Sequence, residues 1–157
     1  MLTQLPQKPG PHKINVKEHL RALYKLDSEI FNIAPISFPF ETPEELLKYL
    51  TEDHKTTTII WNDDKGEFVG YFAYEENVDI PDTIELINLG TRPMFQGQGY
   101  GTKMLHYYHN LFRDKHFRLV THPDNPARKL YEKVGYVPVK IIENYFGDGQ
   151  SRVLYFK

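Results

Sequence analysis

The feature that most constrains the fold is a change of hydrophobic period across a glycine-rich turn. Residues 83–91 are rich in apolar side chains and predict a β-strand, whereas the apolar side chains of residues 104–112 recur at helical spacing. Between them lies Gln96-Gly97-Gln98-Gly99-Tyr100-Gly101. A helix that begins at such a turn presents unpaired backbone N–H groups and the positive end of its dipole. The segment is therefore suited to bind an anion.

Two common phosphate-binding motifs do not fit this turn. A dinucleotide fingerprint needs glycine at its first, third and sixth positions. Here Gly97, Gly99 and Gly101 take the first, third and fifth positions, and Thr102 takes the sixth. A P-loop ends in Gly-Lys-Ser/Thr, whereas Lys103 follows Thr102 in this chain. The spacing disfavours a nucleotide-binding oxidoreductase.

Helices and strands alternate only in the second half of the chain. Three prolines between Pro6 and Pro11 favour a loop over residues 1–13, with at most a short strand at Leu2–Leu5. Helices are predicted at residues 16–31, 42–50, 104–112 and 126–134, and strands at 56–61, 67–74, 83–91, 118–121, 137–142 and 152–156. This order indicates a mixed α/β fold rather than a doubly wound sheet.

Length and composition exclude several other classes of protein. The chain has 157 residues, which predicts one domain over residues 1–157. It has no Cys, so disulfide scaffolds, thiol nucleophiles and Cys-ligated zinc are excluded. No apolar run approaches the roughly 18 residues that a membrane helix needs. We expect a cytoplasmic protein that has no membrane partner.

The net charge of −2 hides an asymmetry between the two halves of the chain. Residues 1–85 hold 8 Lys and Arg against 16 Asp and Glu, and residues 86–157 hold 11 against 5. No strong basic excess points to nucleic acid. A basic half suits a phosphate-bearing ligand and an acidic half suits a cationic one, unless folding interleaves the two.

Two segments carry a family resemblance. Residues 89–101, Leu-Gly-Thr-Arg-Pro-Met-Phe-Gln-Gly-Gln-Gly-Tyr-Gly, match Gln/Arg-x-x-Gly-x-Gly and resemble the acetyl-coenzyme-A-binding motif of the GNAT acetyltransferases. Residues 124–136, Asp-Asn-Pro-Ala-Arg-Lys-Leu-Tyr-Glu-Lys-Val-Gly-Tyr, resemble a later block of that family. The resemblance implies a mixed, mostly antiparallel sheet of about six to seven strands, splayed in the middle and flanked by about four helices. Acetyl-CoA would occupy the cleft at the splay.

The resemblance also implies the chemistry, which is transfer of acetyl from acetyl-CoA to a primary amine of a small molecule or peptide. Backbone N–H groups of the turn would hold the pyrophosphate, and the strand before it would pair with the pantetheine arm. Tyr131 matches the tyrosine that commonly protonates the leaving thiolate. The expected CoA-binding residues are Leu89, Thr91, Gln96, Gly97, Gln98, Gly99, Tyr100, Gly101, Thr102, Asn125 and Arg128. Asn125 lies six residues before Tyr131, one fewer than is commonest, and Asp124 takes the usual asparagine position.

The acceptor ammonium must also lose a proton, and two residues are candidate bases. Family members often carry a Glu at or near the position of Glu85, and strict alternation would place its side chain on the face of Ile87, Leu89 and Thr91. His122 is the second candidate, because an unperturbed imidazole titrates near pH 6.5.

The remaining patterns bear on metals, acceptors and partners. His106 and His109 lack the acid of a zinc-protease motif and are predicted on a polar helix face, so no metal is expected. The acidic first half favours a cationic acceptor, such as a polyamine, an aminoglycoside-like amine or a peptide N-terminus. The sequence leaves open whether the protein forms a homodimer. The alternative from another class is a non-catalytic CoA-binding regulatory module on the same fold, and the two interpretations differ in whether Tyr131 acts in catalysis.

Overall fold

Seven strands form a mixed sheet at the centre of the protein. The structure is a computed structural model that describes residues 4–32 and 38–157. The strands are β1 (Gly10–Ile14), β2 (Thr57–Asn62), β3 (Phe68–Glu76), β4 (Thr83–Thr91), β5 (His116–Thr121), β6 (Val137–Ile142) and β7 (Arg152–Phe156). Their order across the sheet is β1-β2-β3-β4-β5-β7-β6. Only β4 and β5 pair in parallel, which confirms the expected mixed, mostly antiparallel sheet.

Four α-helices flank the sheet within the described residues. They are α1 (Leu20–Phe31), α2 (Pro43–Lys48), α3 (Tyr100–Leu111) and α4 (Arg128–Lys133). As predicted, α2 begins at Thr42, whose Oγ1 accepts the Glu45 N–H at 3.3 Å. It continues as a π-helical segment, Tyr49–Asp53, three residues beyond the predicted end. In the described part of the chain, no helix combines the length and hydropathy needed to cross a bilayer.

The N-terminal region differs from the predicted loop. A strand forms at Gly10–Ile14 and pairs with β2. Pro11 is tolerated there because β1 is an edge strand. Proline has no backbone N–H to donate, and within sheets it occurs mainly in edge strands. Of the strand suggested at Leu2–Leu5, residues 2 and 3 lie outside the described residues, and Gln4 and Leu5 are not in a strand.

The sheet separates two hydrophobic cores, one on each face. The α3–α4 face buries Ile84, Leu86, Met104, Leu105, Tyr108, Phe117, Tyr131 and Tyr155. The α1–α2 face buries Leu23, Ile30, Leu46, Leu50, Ile60 and Tyr71. The apolar stripes of the helices cover the sheet from both sides, as expected for a layered α/β fold.

A β-bulge in β4 changes which side chains share a face. Ala73 lies opposite Asn88 and Tyr74 lies opposite Leu86, so Ile87 is one extra residue. As a result, Leu86 and Leu89 both pack on the α3–α4 face. Asn88 points to the opposite face, where it contacts Tyr71. The expectation that Glu85 shares a face with Leu89 and Thr91 is therefore wrong, because the bulge shifts the alternation.

The sheet is splayed at its centre. Strands β4 and β5 pair only at Thr83–His116, Ile84–Phe117 and Glu85–Arg118, although β4 continues to Thr91 and β5 to Thr121. Beyond the Glu85–Arg118 pair, the two strands separate. The splay expected from the family resemblance thus begins at this pair.

Candidate active site

The splay between β4 and β5 opens into a cleft of about 1800 Å³. One part of its wall combines β4 beyond Glu85, the glycine-rich turn, the end of β5 and the start of α4. Another part combines α1, the π-helical segment and the loop between β6 and β7. The two sequence segments that carry the family resemblance therefore lie on the same cleft.

The glycine-rich turn has the backbone of an open anion site. Gly97 and Gly99 have φ of +78° and +86°, and an added Cβ at either would meet nothing within 4 Å. Gly99 caps α3, and the first bonded N–H of the helix belongs to Lys103, which donates to the Gly99 carbonyl at 3.1 Å. No described residue accepts from the backbone N–H groups of residues 97–102. These groups fit the pyrophosphate of a coenzyme A ligand.

Other residues of the segment support the turn. A Cβ on Gly101 would lie 2.6 Å from Cδ2 of Leu130, so glycine lets the start of α3 approach α4. Gln96 Nε2 donates to the Thr91 carbonyl at 3.1 Å, and Gln98 Nε2 donates to the Met94 carbonyl at 3.3 Å. The Gln98 side chain therefore braces the turn, and among the described residues Gln98 is not part of the cleft wall.

Tyr131 on α4 offers its hydroxyl to the cleft. The residue is 5% exposed, and its ring packs against those of Tyr136 and Tyr155. No hydrogen bond joins its hydroxyl to another described residue, and Tyr131 lines the cleft. Burial, with a smaller contribution from Tyr155, raises the pKa of Tyr131 well above its usual value. The group is thus a protonated phenol that has a hydrogen bond to give.

Asn125 and Arg128 have bonds that hold the start of α4. Asn125 Nδ2 donates to Thr121 Oγ1 at 2.8 Å, and its Oδ1 accepts the Ala127 N–H at 2.9 Å. Arg128 Nε donates to the Tyr155 hydroxyl and its Nη1 to the Pro123 carbonyl, both at 2.8 Å. These contacts connect α4 to β5 and β7. A direct contact of either side chain with coenzyme A stays a prediction.

Both candidate bases line the cleft, and each already has a partner. Glu85 is 7% exposed, and its Oε1 accepts from Arg118 Nη1 at 2.7 Å and from Asn77 Nδ2 at 3.0 Å. His122 Nδ1 accepts the Asp124 N–H at 3.1 Å, so a neutral His122 ring carries its proton on Nε2. The role of Glu85 or His122 as a base is still a prediction.

A third carboxylate, which the sequence reasoning missed, also lines the cleft. Asp27 on α1 is 0% exposed, and its Oδ1 accepts from the Tyr71 hydroxyl. Asn88 Nδ2 in turn donates to the Tyr71 oxygen at 2.9 Å. Burial raises the pKa of Asp27 to about 7, although the bond from Tyr71 opposes the rise. One signal was available in the sequence, since Asp27 interrupts the apolar stripe of α1 between Leu23 and Ile30.

His109 does not lie on a polar helix face, and that prediction is wrong. Its Nε2 lies 2.9 Å from the Tyr136 hydroxyl oxygen, and its ring packs 4.5 Å from that of Phe117. Burial, with the nearby charge of Lys157, lowers the pKa of His109 to about 4. Within residues 4–32 and 38–157 there is no group of three or more His, Asp or Glu side chains that could hold a metal ion.

The cleft is predominantly acidic. Its described wall includes eight carboxylates, Asp27, Glu52, Asp53, Glu75, Glu76, Asp79, Glu85 and Asp148, and four Lys and Arg side chains, Lys55, Arg118, Lys133 and Arg152. Seven of these carboxylates come from residues 1–85, so the charge asymmetry of the sequence does not average out here. The acidic part is formed by α1, the π-helical segment and the β3–β4 turn.

Comparisons with solved structures support this fold over nearly the whole chain. The ribosomal-protein-S18-alanine N-acetyltransferase of Escherichia coli is 19% identical, with a TM-score of 0.70 over 93% of this chain and 90% of that one. A chimera of spermidine N-acetyltransferase from Vibrio cholerae and hSSAT is 20% identical, with a TM-score of 0.71 over 93% and 92%. An aminoglycoside 6'-N-acetyltransferase complexed with coenzyme A is 14% identical, with a TM-score of 0.68 over 94% and 95%.

The sequence comparisons add the family. No curated protein matches the chain. The sequence profile of the acetyltransferase (GNAT) family matches residues 20–136, which contain α1 through α4, the glycine-rich turn and Tyr131. Since the match covers most of the chain, the protein belongs to the GNAT acetyltransferase family.

Proposed function

We propose that the protein transfers the acetyl group of acetyl-CoA to a primary amine of a small molecule or peptide. The observation that carries the proposal is the shared cleft, where the glycine-rich turn with its open backbone N–H groups and Tyr131 lie on one wall. The first fits a pyrophosphate, and the second fits a leaving thiolate that needs a proton. We further propose that residues 1–157 act as one domain, and that the protein works in the cytoplasm, where acetyl-CoA is available.

In the proposed reaction, each part of the cleft has one task. The turn holds the pyrophosphate, and the backbone of β4 at Leu89 and Thr91 orients the pantetheine arm. The neutral amine attacks the thioester carbonyl, so a C–N bond forms, the C–S bond breaks, and the attacking nitrogen loses one proton to solvent. Tyr131 gives its proton to the departing sulfur and is reprotonated from solvent. No metal ion is needed for these steps.

The charge of the cleft supports a cationic acceptor. Eight carboxylates against four Lys and Arg side chains give its described wall an excess of negative charge. Such a wall raises the local concentration of a polycation more than that of a peptide with one terminal amine. Two of the similar structures are named for a polyamine or aminoglycoside acceptor. We therefore propose a polyamine or an aminoglycoside-like amine as the acceptor class.

Thermal unfolding with added ligands tests the co-substrate. Acetyl-CoA or CoA at about 100 times its Kd is expected to stabilise the protein by roughly 2.7 kcal/mol. For a chain of this size, that is a rise in Tm of about 5–11 °C. NAD(H) should cause no rise, because the glycine spacing does not fit a dinucleotide.

Release of free thiol from acetyl-CoA then tests the transfer. Spermidine, an aminoglycoside and a peptide with a free N-terminus are supplied as acceptors, and we expect the first two to be preferred. A protein that binds CoA but releases no thiol with any amine would instead be the non-catalytic CoA-binding module. Absence of a Tm shift with saturating CoA would contradict both functions.

A further inference from the structure

Asp27 is a buried carboxylate in which one oxygen has no hydrogen-bond partner among the described residues. The residue is fully buried on the apolar face of α1, and its Oδ1 accepts from the Tyr71 hydroxyl. Its Oδ2 has no hydrogen-bond partner among the described residues. A buried carboxylate oxygen without a donor is costly, and such groups occur where a ligand or a proton completes them. The fold keeps this one at the wall of the cleft.

Asp27 lies on a helix that packs against β4, the strand that would hold the thioester. The last turn of α1 lies directly on β4, where a Cβ on Gly90 would overlap Ile30 and Phe31. From Asp27, the Tyr71 hydroxyl leads to Asn88, which immediately follows the bulge in β4. Two hydrogen bonds thus join the carboxylate to the segment between Ile87 and Leu89. Asp27 lines the acidic, α1–α2 side of the cleft, from which a cationic amine would approach, and its Oδ2 is enclosed in the wall.

Asp27 differs from Glu85, the other buried carboxylate of the cleft, in having no charged partner among the described residues. Glu85 faces a guanidinium and an amide at 2.7 and 3.0 Å, so it already neutralises a charge. No Lys, Arg or His contacts Asp27 within the described part of the chain. The titratable groups that face it are Tyr71 from β3 and Tyr49 from the π-helical segment. Burial raises the pKa of Tyr49 to about 12 and that of Tyr71 well above its usual value, so both stay neutral.

Resting on the acetyl transfer proposed above, we propose that Asp27 is the general base that takes the proton from the acceptor ammonium. When the acceptor binds, the wall of the cleft opens at Asp27, an N–H bond of the ammonium breaks, its electron pair stays on nitrogen, and the proton passes to Asp27 Oδ2. The neutral amine attacks the thioester and Tyr131 gives its proton to the departing thiolate. The attacking nitrogen loses its second proton to solvent, and solvent returns a proton to Tyr131. Asp27 then loses its proton to solvent when the product leaves. A pKa of about 7 suits this task, since the group can accept a proton and release it near neutral pH.

The test compares kcat across about pH 5.5 to 9, with spermidine as acceptor, in the wild type and in four variants, Asp27→Asn, Tyr71→Phe, Glu85→Gln and Thr58→Val. In the wild type, kcat falls as the pH decreases through about 7, because Asp27 becomes protonated. Asp27→Asn lowers kcat on the order of 100-fold and removes this fall of kcat at low pH, which is the acid limb of the pH profile. Tyr71→Phe removes a bond that lowers the pKa of Asp27, so the limb moves to higher pH. Thr58→Val is the control, since Thr58 Oγ1 is also buried and unpartnered but Thr58 lies outside the cleft wall.

Two further readouts separate a base from a structural role. A weakly basic acceptor such as trifluoroethylamine is already neutral at pH 7, so Asp27→Asn should slow its acetylation much less than that of spermidine. Asp27→Asn should also raise Tm at pH 8 and leave it unchanged near pH 4. The folded-state pKa of Asp27, about 7, is above its ordinary value of 3.8, so the stability lost through this carboxyl grows as the pH rises from 3.8 and is complete above about 7.

Each outcome has a distinct meaning. A folded Asp27→Asn variant that keeps the wild-type kcat and its acid limb overturns the role of Asp27 and leaves the proposed function intact. Loss of the limb in Glu85→Gln, but not in Asp27→Asn, assigns the base to Glu85 and overturns the proposal. A wild type that binds CoA but acetylates no amine overturns the proposed function and the role of Asp27 together.

Discussion

Two buried phenols of the same aromatic cluster, Tyr131 and Tyr108, differ in what their hydroxyls reach. Tyr131 lines the cleft, whereas the Tyr108 hydroxyl is enclosed and has no partner in the described residues. Burial is the first cause of a raised pKa in both, so each remains protonated at neutral pH. Position alone decides which of the two can donate to a substrate.

At the scale of single residues, the Tyr131→Phe variant should therefore lose turnover while keeping its affinity for acetyl-CoA. Loss of a positioned general acid typically lowers kcat on the order of 100-fold. The Tyr131 hydroxyl has no hydrogen bond to another described residue, so Tm should change little. Thiol release measures kcat, and calorimetry with CoA measures Kd.

Tyr108→Phe is the matched control for this variant. It removes a hydroxyl of the same kind from the same cluster, but one that does not reach the cleft. We expect kcat to remain at the wild-type level. Equal turnover in Tyr131→Phe and Tyr108→Phe would remove Tyr131 from the mechanism.

Among the elements, the glycine-rich turn depends on a backbone conformation that L side chains rarely adopt. Gly99 has a φ of +86° at the N-cap of α3, where the helix offers its free N–H groups. Gly10, at the start of β1, has the same φ and equally open surroundings, but it is not part of the described cleft wall. The two glycines thus share a conformational requirement and differ in location.

We predict that Gly99→Ala and Gly10→Ala each cost about 1 kcal/mol of stability, because both place a Cβ at positive φ. Only Gly99→Ala should also weaken CoA binding. We expect its Kd for CoA to rise on the order of tenfold, which corresponds to about 1.4 kcal/mol of binding free energy. Denaturant unfolding gives the first quantity, and calorimetry gives the second. The same CoA affinity in both variants would contradict an anion site at the turn.

For the whole molecule, the distribution of charge predicts how activity responds to salt. Acceptor binding relies on the acidic wall of the cleft, which is partly exposed, so added salt screens it. Between about 0.05 and 0.5 M salt, we expect KM for spermidine to rise several-fold while kcat stays nearly constant. Steady-state kinetics at several ionic strengths would show this split.

A monoamine acceptor provides the comparison for this prediction. It carries one charge, so its KM should depend on salt much less than that of spermidine. An identical salt dependence for both acceptors would mean that the acidic wall does not select polycations.

The family and the order of elements could be predicted from the sequence because their signals are local. The change from strand to helical period, the glycines at residues 97–101 and the spacing around Tyr131 are all read within a few turns of chain. β1 was missed because proline is tolerated at a sheet edge, and no local pattern shows which strand will be an edge. The helix predicted over residues 42–50 also stops short of Asp53, where the π-helical segment that continues α2 ends.

The amino-acid sequence by itself determined the glycine-rich turn, the position of Tyr131 and the acidic first half. Only the tertiary structure decided where the splay begins, which face each β4 side chain takes, and that Asp27 lines the cleft. The physical reason is distance along the chain. Glu85 and Arg118 are 33 residues apart, and Asp27 and Tyr71 are 44 apart. The partners that set these side chains are therefore chosen by packing, which no local pattern encodes.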